Sequence, residues 1–445
     1  MIIQLLFILT AIVIGARLGG IGLGVMGGLG LAVLTFFFGL QPTSPPIDVM
    51  LMIAAVISAA ACMQAAGGLD LMVRLAEGLL RRNPGHITFL GPFVTYMFTF
   101  LAGTGHVAYS ILPVIAEVAT ESGIRPERPL GISVIASQQA ITASPISAAT
   151  VALLGLLSVE GITLFNILMV SVPCTLIGVF AGALYSIKAG KELEDDPEFK
   201  RRVASGEFKI VKKDVNDSSS SLKGSSINVR GAGMSVVIFL FATVGIVLFG
   251  SIEGLRPVFE VDGVLVPLEM SYIIEILMLS AAAIILLVTK TNAGKAAQGT
   301  VFTAGMQAVV AIFGIAWMGD TFIGGNIDEL KGAIEGIVSE MPWLFGIALF
   351  LMSILLFSQA ATVRALLPLG VLLGISPYML IALFPAVNGY FFIPNYPTVI
   401  AAINFDRTGT TKIGKYMLNH SFMIPGLICT VVSVGLGLLL VQFFV

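Results

Sequence analysis

The chain has 445 residues, 57% of them hydrophobic and 11% charged, with a mean hydropathy of +0.99 and a net charge of −2. Soluble domains carry roughly 25% charged residues, so this composition excludes a soluble globular protein and indicates an all-α polytopic membrane protein with the bilayer as its solvent. Cys62, Cys174 and Cys429 all fall in apolar segments and form no disulfide or metal spacing; no cofactor, metal or nucleic-acid partner is expected.

Ile2 to Ala16 and Gly19 to Leu40 read as two helices around Arg17. The first has no basic region ahead of it and is expected to be a retained span. Gly20, Gly24 and Gly28, four residues apart, suit close approach of another helix. Ile47 to Ala66 is a third span, followed by an amphipathic, interfacial segment with Arg74, Glu77, Arg81 and Arg82. Residues 87–119 are apolar except for Gly103-Thr104-Gly105-His106. Each arm, of about 16 and 13 residues, falls short of the roughly 20 that a spanning helix needs, which predicts a re-entrant hairpin with its tip at that tetrapeptide.

Residues 130–159 would be one long span were it not for Ser137 to Thr150, SQQAITASPISAAT. Unwound backbone at membrane depth survives only when buried in protein or lining a watery cavity, and Pro145 removes one donor. A broken helix is predicted, then a further span from Thr163 to Ile187. Residues 188–232 form the one long polar stretch and are expected to be a mobile cytoplasmic linker. Spans follow at Gly233 to Gly250, Ser271 to Val288 and Thr300 to Gly319. Residues 343–373, interrupted at Ser358-Gln359-Ala360-Ala361-Thr362, make a second hairpin. Residues 378–403, interrupted at FFIPNYPT, make a second broken helix, and Met417 to Phe444 the last span.

The halves, 1–187 and 233–445, thus match in order: three spans, a hairpin, a broken helix and a final span, about ten spans plus two hairpins. Both hairpins carry a Leu-Pro after the tip, at Leu112-Pro113 and Leu367-Pro368. Placing the basic loops inside puts both termini in the periplasm and makes the two repeats inverted.

Paired interrupted segments are the sequence pointer to a transporter binding site, where helix N-termini face carboxylates. The candidate substrate-binding residues are Gly103, Thr104, Gly105, His106, Thr142, Ser144, Pro145, Ser147, Ser358, Gln359, Thr362, Arg364, Asn395, Tyr396, Pro397 and Thr398. Hydroxyls in membrane helices also serve by bonding neighbouring carbonyls, so the argument rests on four mirrored clusters and on no single residue. His106 is either a titrating donor or a neutral packing residue. Arg364 meets a substrate carboxylate, Asp320 or an aqueous vestibule, and Asp320 is expected at a span end. An anion channel would need repeated polar rings, and a cation-coupled carboxylate symporter remains a further alternative. No nucleophile–base motif or Walker motif points to an enzyme or a pump.

GTGH, ITASPISAA, FIPNYPT, GARLGGIGLG, LLRRNP, WMGDTF, SQAAT and DRTGTTKIGKYMLNHSFMIPG together resemble the Dcu family of anaerobic C4-dicarboxylate transporters, over nearly the whole chain. The resemblance implies an inner-membrane exchanger of fumarate, succinate, malate and aspartate. It also implies kinship with the ion transporter superfamily, a homodimer, and an elevator-like motion of a hairpin-bearing domain. Asn395 stands where the family pattern has Thr, and Arg364 departs from it.

Overall fold

The computed structural model describes all residues except 19, 208–227, 262, 327–328, 330–340, 357, 395, 415–418 and 444–445. Among the described residues the chain forms nineteen α-helices and one two-stranded sheet. Six helices are long and apolar enough to cross a membrane: α5 (Ile87–Ala102, with the turn before it), α9 (Leu164–Ser186), α11 (Val229–Ser251), α12 (Met270–Thr289), α14 (Thr300–Gly325) and α19 (Met423–Leu440, with the turn after it). Shorter apolar helices surround them: α1 (Ile2–Leu18), α2 (Gly22–Ala32, continued by a π turn), α8 (Ala148–Leu157), α15 (Leu344–Leu356) and α16 (Gln359–Leu372). Helices α3 (Ile47–Ala65) and α4 (Gly68–Arg82) form a pair bent by 68°. Gly67 makes that bend in the left-handed region, at φ 84°.

The first expected hairpin is a helix–turn–helix unit, and in the second two helices, α15 and α16, flank residue 357, which lies outside the described residues. Helix α5 ends on Gly103, whose φ of 69° stops it. Thr104 then caps a short turn that opens α6 (Ala108–Glu121). In the second, Ser358 caps α16 just beyond α15. Both broken helices are also present. Helix α7 (Glu127–Ile141) gives way at residues 142–147 before α8 begins. Helix α17 (Pro377–Leu383) runs into a 3₁₀ segment, Phe384–Phe391, and α18 (Pro397–Phe405) starts afresh.

Contacts recur in pairs across the two parts of the chain. Helix α5 packs on α7 as α15 packs on the 384–391 segment, and α2 packs on α14 as α12 packs on α3. The second arm of each hairpin lies against the post-break helix of the other part, α6 on α18 and α16 on α8. The α2–α14 crossing is so close that a Cβ added to Gly314 would lie 1.8 Å from the Gly24 carbonyl oxygen. Of the glycines expected to permit such an approach, Gly24 does so, helped by Gly27, whereas Gly28 faces open space.

Three features were not legible as such. Helix α4 buries Leu69, Val73, Ala76 and Leu80, and its Arg81 reaches Glu117 and Glu121 of α6 at 3.2 and 2.7 Å, so it is docked on protein as well as amphipathic. The loop before α12 holds two antiparallel strands, Val258–Val261 paired with Val264–Pro267. Residues 188–207 of the expected linker fold against the protein, with α10 (Pro197–Ala204) capped by Asp196; residues 208–227 lie outside the described residues.

Asp196 also holds Arg125 at 2.6 Å, and Arg125 meets Glu127 at 2.5 Å. Burial opposes the charge on Asp196, but the Phe199 backbone N–H and the Arg125 guanidinium outweigh it and hold the carboxyl below its usual range. Thr410 Oγ1 accepts from the Glu127 N–H at 3.2 Å, and buried Asp406 gathers Thr408, Thr410 and Thr411 around its carboxylate. The start of α7 and the end of α18 are therefore clasped together, with the linker helix as a strut.

Candidate functional site

A cavity of about 360 Å³ lies where the two hairpin tips and the two helix breaks come together. That volume suits a small metabolite. One wall belongs to the hairpins and broken helices: Gly103 to His106, Ile141, Ala148, Ala149, Leu356, Ser358 to Ala360, Tyr396 and Pro397. The facing wall is Gly15, Gly20 and Leu23 from the α1–α2 corner, with Ala304, Gln307, Ala308 and Ala311 from α14. The cavity is thus a seam between two helical groups.

Three helices point their first turns at this space. Helix α8 contributes Ala148 and Ala149, α16 contributes Gln359 and Ala360, and α18 contributes Pro397. The first N–H groups of a helix have no intrahelical acceptor and carry about half a positive charge. At α8 and α16 the caps occupy the third N–H and leave the first two to the cavity, whereas α18 opens on Pro397, which has no N–H, and offers the positive end of its dipole. Ser147 accepts from the Thr150 N–H at 3.1 Å, and Ser358 from the Ala361 N–H at 3.2 Å. Among the described residues no Asp, Glu, Lys or Arg lines the cavity. Its electrostatics come from oriented peptide dipoles, an arrangement that favours anions without burying a cation.

Eight of the expected residues line this space: Gly103, Thr104, Gly105, His106, Ser358, Gln359, Tyr396 and Pro397. Thr142, Ser144, Pro145, Ser147, Thr362, Arg364 and Thr398 do not line it. The hydroxyls of Thr142, Ser144, Ser147 and Thr362 instead bond backbone carbonyls. Thr142 Oγ1 donates to the Gln139 carbonyl at 2.8 Å, Ser144 Oγ to the Phe100 carbonyl at 2.7 Å, Ser147 Oγ to the Ile141 carbonyl at 2.5 Å and Thr362 Oγ1 to the Ser358 carbonyl at 2.7 Å. The Ser144 bond ties the first break directly to the end of α5, just before the hairpin tip. Thr398 Oγ1 is buried without a partner among the described residues, as are both amide atoms of Gln138. Asn395 lies outside the described residues.

His106 stacks on Tyr109 with ring centroids 6.0 Å apart and borders two smaller cavities as well, so it stands at a junction of spaces. Arg364 lies deeper along α16. Its Nε is buried without a partner among the described residues, and the acidic groups acting on it are Asp320 and Asp48. Asp320 sits within α14, five residues before its end, and not at the span end that was expected.

Asn388, Gln139 and Gln307 were not singled out from the sequence. Asn388 has non-helical backbone at φ −97° and ψ 27° and is the centre of a buried amide network. Its Nδ2 donates to Gln139 Oε1 at 3.3 Å, to Thr142 Oγ1 at 3.2 Å and to the Pro385 carbonyl at 3.1 Å. Its Oδ1 accepts from Gln359 Nε2 at 3.1 Å. The network joins the second hairpin tip to both broken helices. The Asn-Gly dipeptide at 388–389, inside an apolar run, was the available signal.

A family model described as "Anaerobic c4-dicarboxylate membrane transporter" matches residues 1–445. The chain belongs to this family. It is therefore grouped with membrane transporters and not with enzymes. Curated relatives include the anaerobic C4-dicarboxylate transporter DcuB of Escherichia coli O157:H7, 43% identical over 98% of this chain and 97% of the relative. The C4-dicarboxylate transporter DcuA of Wolinella succinogenes is 43% identical over 98% of both chains. The DcuA of Escherichia coli K12 is 41% identical over 100% of this chain and 99% of the relative. Among solved structures, the YdaH transporter of Alcanivorax borkumensis shares the fold, with a TM-score of 0.57 at 16% identity over 98% of this chain and 96% of that one.

Proposed function

We propose that the protein is a secondary exchanger of C4-dicarboxylates (fumarate, succinate, malate and aspartate) across the inner membrane, working by alternating access. The observation that carries this reading is the convergence of the first turns of α8, α16 and α18 on one cavity that, among the described residues, no Asp, Glu, Lys or Arg lines. A ligand with two carboxylates supplies the negative charge those turns lack. One hairpin tip and one helix break from each part of the chain reach it, so each carboxylate meets dipoles from a different part.

The position of the cavity between two helical groups supports movement of one against the other. The group with the hairpins and broken helices is internally tied by the Ser144 bond, the Asn388 network and the Asp406 clasp. The facing wall comes from α1, α2 and α14, whose backbones touch at Gly24 and Gly314. An elevator-like displacement of the first group is the motion that this division favours. The paired contacts support two repeats, residues 1–187 and 233–445, which the distribution of basic loops orients as inverted with both termini periplasmic. The family's homodimer is carried over on the same footing.

Counterflow tests the exchange. Proteoliposomes loaded with unlabelled succinate should accumulate labelled succinate transiently, and should lose their contents slowly when no dicarboxylate is outside. Equal efflux with and without external substrate would reject obligatory exchange and favour a channel or a symporter.

A further inference from the structure

Resting on the proposed reading, we infer that Gln359 is the residue by which the site recognises C4-dicarboxylates bearing a hydrogen-bond donor at C2. An ammonium is read more strongly than a hydroxyl.

The argument is one of amide orientation. The Pro385 carbonyl can only accept, so the Asn388 atom 3.1 Å from it is the amide nitrogen. The same nitrogen faces Thr142 Oγ1, whose proton is already given to the Gln139 carbonyl. Asn388 therefore turns its oxygen toward Gln359. That oxygen accepts, so Gln359 must present its nitrogen, which it does at 3.1 Å. The other proton of that nitrogen goes to the Tyr390 hydroxyl. Both donors of the Gln359 side chain are thereby used inside the protein.

What remains is Oε1. Gln359 is only 5% exposed, it lines the cavity, and among the described residues nothing donates to its Oε1. A fixed carbonyl oxygen is a poor neighbour for a carboxylate. It is a good partner for an N–H or O–H held beside one. The first turns around the cavity supply the positive potential for two carboxylates, and Gln359 supplies an oriented acceptor near them. Fumarate and succinate have nothing to give it, whereas a 2-amino or 2-hydroxy C4-dicarboxylate does.

The test is competition against labelled succinate uptake in proteoliposomes by L-aspartate, L-malate, succinate and fumarate. The readout is the ratio of each inhibition constant to that of succinate, from which a general loss of activity cancels. In Gln359→Met the aspartate ratio should rise about ten- to hundred-fold, the range of a hydrogen bond to a charged group, and the malate ratio should rise less. Gln359→Glu keeps an acceptor and adds charge, so its aspartate ratio should fall. Opposite shifts from two substitutions at one position are not produced by a merely structural role. Asn388→Leu, which frees the amide to turn, should raise the aspartate ratio in the same sense as Gln359→Met, and it serves if that variant does not fold. Ratios within threefold of wild type in the variants would overturn the assignment while leaving the dicarboxylate reading intact. Failure of all four compounds to compete in the wild type would overturn both.

Discussion

Gly103→Ala probes how tightly the first hairpin tip is tied to the first helix break. Gly103 has φ 69°, a region that costs an L-residue roughly 1–2 kcal/mol. A Cβ there would also lie 2.9 Å from the Ile146 carbonyl oxygen and 3.0 Å from Ile146 Cγ1, inside the unwound segment. Relieving that overlap moves backbone, for which overpacking costs about 1–3 kcal/mol. Gly123 provides the control. Its φ is 70° and nothing lies within 4 Å of its added Cβ, so Gly123→Ala carries the strain without the clash. Both variants should lose a similar increment of thermal stability from strain. Only Gly103→Ala should lose transport, about tenfold or more at subsaturating succinate in proteoliposomes, because its clash displaces the tip from the first turn of α8. Wild-type uptake by Gly103→Ala, or an equal loss in Gly123→Ala, would refute the coupling between tip and break.

Gly314→Ala, whose Cβ would sit 1.8 Å from the Gly24 carbonyl oxygen, should cost more than the usual overpacking range of about 1–3 kcal/mol. It should abolish a monodisperse size-exclusion peak, while Gly28→Ala should leave that peak unchanged. Ser147→Ala and Ser358→Ala each remove an N-cap worth about 1 kcal/mol and should raise the KM for succinate several-fold by fraying the turns that face the cavity. Thr398→Val removes a hydroxyl buried without a partner among the described residues, so the melting temperature should rise, by relief of about 1–3 kcal/mol, with uptake unchanged; a lower melting temperature or lost uptake would contradict this. Asp196→Asn breaks one arm of the buried Arg125 cluster, a loss of about 3 kcal/mol. Trypsin should then cut at Arg201 or Arg202 far faster than in the wild type.

Much of this arrangement was readable in advance, for a physical reason. Hydrocarbon tolerates no unpaired backbone, so Pro145 with its hydroxyl neighbours, the polar tip at Gly103 to His106 and the FFIPNYPT stretch had to be structured exceptions. Each coincides with a real break or turn. Which hydroxyls face the cavity was not readable. Ser and Thr bond carbonyls three or four residues back as readily as a ligand, and Thr142 and Thr362 do so here, while Ser144 bonds the Phe100 carbonyl of α5. The facing wall was also missed, because Gly15, Gly20 and Gln307 look like packing positions until the distant α14 is set beside α2. Asn388 was overlooked because one amide in an apolar run carries no periodicity. Its partners Gln139 and Gln359 are 249 and 29 residues away.

The most direct measurement is the electron density of the protein bound to succinate. The account predicts a four-carbon ligand in the cavity between the hairpin tips, its carboxylates against the first turns of α8, α16 and α18. Density for succinate at Arg364 and Asp320, or anywhere away from those turns, would contradict it.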